Sequence, residues 1–190
     1  MSEQYCIRIC NDCLDDEANT LWISYYEQYY NALKCLSNKV DKNDLFLPTI
    51  LILSQYMELW IKTILLNYGA GENEYIVSNL VTGHGIDELL QEMIDTISYD
   101  EWIKNKRKIC KIAGLYAWFD EMSNNKTALS IAMRYPITAN KEKSTLNPCV
   151  LKYISGECEK FNIKMLRRNI KSILRHTKDV YDNIYSSRVI

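Results

Sequence analysis

Residues 45–68 read Leu-Phe-Leu-Pro-Thr-Ile-Leu-Ile-Leu-Ser-Gln-Tyr-Met-Glu-Leu-Trp-Ile-Lys-Thr-Ile-Leu-Leu-Asn-Tyr. The stretch is apolar almost all round, the pattern of a helix buried in the middle of a bundle. Asn43 or Asp44 is placed to cap its start, Pro48 falls near its first turn, and Gly69 follows as a stop. Its length matches a bilayer, but Gln55, Glu58 and Lys62 lie inside it, and charges at membrane depth are costly. The sequence therefore predicts a central helix of a protein with no membrane span. Ser54, Gln55, Glu58 and Lys62 share one narrow side, expected to face solvent, a groove or another chain. Glu58 and Lys62 are four apart and can pair.

Amphipathic helices are expected on both sides of this rod. From 17 to 37, Leu21, Trp22, Tyr25, Tyr29, Ala32, Leu33 and Leu36 recur at helical spacing, widened by Tyr26 and Tyr30. That tyrosine run reads either as aromatic core or as a base-stacking surface. Residues 69–84 are a loop, and Gly83-His84-Gly85 leads into a third helix with Asp87 and Glu88 at its positive end. A fourth helix is expected over 99–122, its apolar side including Trp102, Ile103, Ile109, Cys110, Ala113, Tyr116 and Ala117. Residues 123–158, broken by Asn, Pro and Gly, form a long irregular loop or small hairpin, with extended pieces expected at 128–135 and 149–154. The final helix has the cleanest pattern: Ile163, Leu166, Ile170, Ile173, Thr177, Val180 and Ile184 alternate by three and four. The fold class is thus all-α, a bundle of about five helices in one domain over 1–190, with 1–15 as an N-terminal arm.

A net charge of −1 over 190 residues excludes a general polycation. The charge is nevertheless segregated. Asp12, Asp15, Asp16 and Glu17 make the beginning acidic, whereas Lys164, Arg167, Arg168, Lys171, Arg175 and Lys178 make the last helix basic. Such a face suits a polyanion, or an acidic face of a partner or second copy. The apolar stripe opposite it could equally zip onto a second copy.

Seven cysteines, with no signal-like segment before them, predict reduced thiols and a cytoplasmic protein. Cys10 and Cys13 form a Cys-x-x-Cys near Cys6, but no second pair exists to complete a zinc site, so neither a metal nor a cofactor is expected. Imidazole chemistry has two candidates, His84 and His176. His84 stands at a helix entrance, where capping the turn is its structural role. His176 follows Arg175, and a neighbouring cation favours a neutral, base-competent ring. Arg134, in Met-Arg-Tyr-Pro, offers a planar fork for phosphate, or a tie from its loop to Glu58 or an acidic helix end.

Taken in order, Tyr56-Met-Glu-Leu-Trp-Ile-Lys62 on the central helix, Gly83-His-Gly-Ile-Asp-Glu-Leu-Leu90, Met133-Arg-Tyr-Pro136 and Phe161-Asn-Ile-Lys-Met-Leu166 resemble phrases of the HEPN superfamily, the higher-eukaryote and prokaryote nucleotide-binding domain. The resemblance covers roughly residues 45–185. It implies an all-α bundle that usually dimerises, and roles in RNA cleavage, toxin–antitoxin pairs and antiphage defence. The family's ribonucleases join arginine and histidine in an Arg-x(4–6)-His motif at a metal-free site. Here Arg167 and Arg168 stand further than that from His176, and no arginine precedes His84 at the right distance.

Three readings follow. The first is a non-enzymatic component that binds RNA or a partner protein, with Glu58, Lys62, Lys164, Arg168, Lys171 and Arg175 as binding residues. The second is a divergent metal-independent endoribonuclease using His84, Arg134 or His176. The third is a structural helical oligomer.

Overall fold

The computed structural model describes residues 16–40, 45–69, 85–123, 137–140, 143–146 and 163–186. Five helices fill most of them: α1 (Asp16–Lys39), α2 (Phe46–Gly69), α3 (Ile86–Thr96), α4 (Tyr99–Ser123) and α5 (Ile163–Ser186). Between α4 and α5 lies an antiparallel hairpin, β1 (Ile137–Asn140) with β2 (Lys143–Leu146), in register Ile137 to Leu146 and Asn140 to Lys143. The all-α bundle and small hairpin match the expectation. The strands, however, sit between the two extended pieces read from sequence, which lie outside the described residues.

α2 is the axis. It packs on α1, α3 and α5, while α4 packs chiefly on α5. Ile50, Leu53, Tyr56, Met57, Trp60, Ile61, Ile64 and Leu65 are all buried. Each such side chain contributes about 1.5–3 kcal/mol of transfer free energy. The segment Pro48–Leu66 has a mean hydropathy of 1.3, but 78 % of it is covered by the rest of the protein. That burial gives its apolar surface a destination within the bundle.

The polar side of α2 corrects one expectation. Glu58 and Lys62 do not face outwards: they are 7 % and 3 % exposed, and Lys62 Nζ donates to Glu58 Oε1 at 2.8 Å. Ser54 on the same side is fully buried. The ion pair lets the helix bury two charges, since each supplies the other's counter-charge at contact distance.

Thr177 of α5 fastens the two longest apolar faces together. Its hydroxyl meets Tyr56 Oη at 2.5 Å, and its carbonyl accepts from Trp60 Nε1 at 3.1 Å. Beside it, Tyr26 stacks on Tyr56 and on Tyr181, with ring centroids 5.6 and 5.0 Å apart. Burial pushes the Tyr26 phenol up to about 12 and holds Tyr56 and Tyr181 well above the ordinary value. The inner part of the tyrosine run is therefore core. Tyr25, expected within the apolar stripe, is 47 % exposed, whereas Tyr26 is 4 %.

A tight link, Ile97-Ser98, joins α3 to α4. Ser98 Oγ accepts from the Glu101 backbone N–H at 3.4 Å and donates to Glu101 Oε2 at 2.9 Å, a reciprocal helix start. Further along, a part-buried amide pair ties α4 to α5. Asn183 Nδ2 donates to Asn105 Oδ1 at 2.9 Å, and Asn105 Nδ2 donates to the Glu101 carbonyl at 3.0 Å.

The α5 stripe is internal. Leu166, Ile170, Ile173, Thr177, Val180 and Ile184 are buried against α1, α2 and α4. It is thus spent within the chain.

Candidate functional site

Burying one stripe of α5 sends the opposite stripe outwards. Lys164, Arg168, Lys171 and Arg175 follow one another at four-, three- and four-residue steps. At about 100° per residue they stay within about 40° of one line along the helix. α4 runs alongside and adds Lys111. Between the helices opens a groove of about 830 Å³, lined by these five cations and Arg167. Among the described residues no carboxylate lines it.

The cations differ in how they are held. Arg167 reaches across to the end of α1, where Nε donates to the Ser37 carbonyl at 3.2 Å and Nη2 to the Asn38 carbonyl at 3.3 Å. These carbonyls lie in the last turn, where helices leave acceptors unsatisfied, so Arg167 is in part a cap. Lys108 and Lys178, outside the groove, pair with Asp179 and Asp182 at 3.4 and 3.2 Å. By contrast, Lys111, Lys164, Arg168, Lys171 and Arg175 have no carboxylate within ion-pair distance among the described residues.

This arrangement costs the fold something. From 163 to 178 the helix contains no Asp or Glu. Like charges three and four apart destabilise a helix by about 0.2–0.5 kcal/mol per pair. Lys164, Arg167 and Arg168 also stand near the positive end of the helix dipole, where acids are the stabilising choice. An anion laid in the groove would relieve both costs.

His176 stands at the end of the row. Burial pushes its pKa below the ordinary value, helped by Lys111, Arg175 and Lys108 and opposed by Asp179. Arg175 Nη2 donates to His176 Nε2 at 3.5 Å, the outer limit of a hydrogen bond. That leaves the ring proton on Nδ1, which is buried and has no hydrogen-bond partner among the described residues. Although side chains of neighbouring helical residues leave the axis in different directions, these two are long enough to meet.

The structure therefore brings four of the sequence-derived binding residues, Lys164, Arg168, Lys171 and Arg175, into one groove with His176 at its end. It separates Glu58 and Lys62 from them, inside α2. His84 and Arg134 lie outside the described residues, as do Cys6, Cys10 and Cys13. Cys35 and Cys110 carry free, exposed thiols. Lys111 is a groove residue that the sequence did not single out, because its meeting with α5 is a tertiary fact. The other lining residues, Leu115, Asn169 and Ser172, offer little aromatic or hydrogen-bonding variety. No protein-family model, curated protein or solved structure matches the chain.

Proposed function

We propose that this chain is an RNA-binding helical protein of HEPN-like type, acting in the cytoplasm as a component of a prokaryotic antiviral defence or toxin–antitoxin system. A homodimer and a partner protein of that system belong to the same reading. One observation carries the RNA part: a groove lined by Lys111, Lys164, Arg168, Lys171 and Arg175 with no carboxylate on its lining among the described residues. Cations in a row lose their mutual repulsion when phosphates lie against them, and the counterions held by the RNA are released. The family-like phrases along α2, before α3 and at the start of α5 carry the defence part.

Fluorescence anisotropy of a labelled RNA, measured over a range of salt concentrations, tests the RNA part. If Lys111, Lys164, Arg168, Lys171 and Arg175 each neutralise one phosphate, the log–log salt slope is about −3.5 for a single strand. A flat salt response, or no binding at low salt, refutes it.

The contact between Arg175 and His176, whose pKa burial and neighbouring cations lower, favours the endoribonuclease as a second reading. A guanidinium to hold phosphate and an imidazole to accept a proton are the two parts that metal-free RNA cleavage requires, and Nε2 becomes a free base once Arg175 turns from it to a phosphate. Incubating the protein with RNA in chelator distinguishes the readings. Cleavage by the wild type and its loss in His176→Ala establish the enzyme; intact RNA leaves the binding protein.

A further inference from the structure

Resting on the RNA-binding reading, we infer that the groove between α4 and α5 takes one unpaired strand by a run of consecutive phosphates, without regard to base.

Three features lead there. The first is the straightness of the row. From Lys164 to Arg175 the helix advances about 16 Å at about 1.5 Å per residue. That length covers a run of several consecutive phosphates of an unpaired strand. The backbone of a duplex winds away from a straight line, so a duplex meets only part of the row. A flexible single strand can be laid along all of it.

The second is concavity. The cations stand on both sides of the depression, Lys111 on α4 and the others on α5. A depression of about 830 Å³ with cations on both sides has room for a stretch of one sugar–phosphate chain, whereas a duplex rests on its rims.

The third is the chemistry of the walls. Among the described residues no aromatic ring lines the groove, so they offer bases no stacking platform there. Asn169 is buried, which leaves Ser172 as the uncharged polar group best placed to meet a ligand. The surface is equipped to hold phosphate and is poorly equipped to read base edges.

Equilibrium anisotropy with the full chain tests this, using labelled oligo(rU) and oligo(rA) of graded length and a blunt RNA duplex as competitor. Affinities for rU and rA within about threefold are expected. The duplex should compete at least tenfold more weakly, and the gain with length should flatten by about six nucleotides. A duplex that binds as tightly, or a tenfold preference between rU and rA, overturns the inference while leaving an RNA-binding groove in place. Absence of binding to every form removes the groove reading and this inference with it. So does binding unchanged by Lys111→Gln on one wall and by Arg168→Gln with Lys171→Gln on the other, provided circular dichroism shows each variant folded.

Discussion

Neutralising the middle of the basic row should make the protein more stable while weakening its hold on RNA. In the double variant Arg168→Gln, Lys171→Gln, Arg168 loses its like-charged neighbours Lys164 and Lys171, and Lys171 also loses Arg167 and Arg175. Each such pair costs about 0.2–0.5 kcal/mol at low salt, so the variant should gain about 1–2 kcal/mol. Glutamine keeps nearly the helix propensity of the residues it replaces, so no comparable loss offsets the gain. For a chain of this size, that corresponds to a rise in Tm of about 3–6 °C. Urea denaturation followed by circular dichroism measures it directly. The gain should be largest near 10 mM salt, where the Debye length is about 30 Å, and should fade near 1 M, where it is about 3 Å. If the variant is less stable than wild type at low salt, the cations are engaged in native contacts. The cations then are not awaiting an anionic ligand.

Three further perturbations probe the core and the end of the row. Thr177→Val removes one partner of the buried Tyr56 hydroxyl and should cost about 1–3 kcal/mol; adding Tyr56→Phe should recover most of it, as a double-mutant cycle in urea will show. Lys62→Met breaks the buried Glu58–Lys62 ion pair and should cost about 3–5 kcal/mol, whereas Lys62→Met with Glu58→Leu should fold nearly as well as wild type. His176 titrates below its ordinary 6.5 in the folded chain, so the unfolded chain binds the proton more readily. Its contribution is fully present above pH 6.5 and is lost as pH falls through the lowered value; His176→Gln should remove that slope from stability measured against pH. Bound phosphates favour the imidazolium, so saturating RNA should move the His176 ring resonance titration upwards in NMR.

Legibility varied with how strictly each helix separates its faces. α5 was readable almost residue by residue, because one clean apolar stripe and one clean basic stripe leave a single way to orient it. In α1 tyrosines occupy adjacent positions, so periodicity alone could not decide that Tyr26 rather than Tyr25 turns inwards. α4 was harder still. Ile103 and Cys110, assigned to its apolar side, are exposed, while Asn105, Ile112 and Phe119 are buried. A buried asparagine cannot be recognised without the amide it meets on another helix. The polar side of α2 misled for a similar reason: local spacing showed that Glu58 and Lys62 could pair, but not that both would be enclosed. At the groove, the α5 contribution was legible and the α4 wall was not, because nothing local says which lysine a distant helix will face.

The amide pair between Asn105 and Asn183 has a bearing on how genetic data for this protein would be interpreted. It ties together the two helices that form the walls of the groove, beyond the end of the basic row. Random libraries selected for loss of RNA capture should therefore yield replacements at these two asparagines, though neither lines the groove. Such hits would mark the frame of the binding surface rather than its contact points.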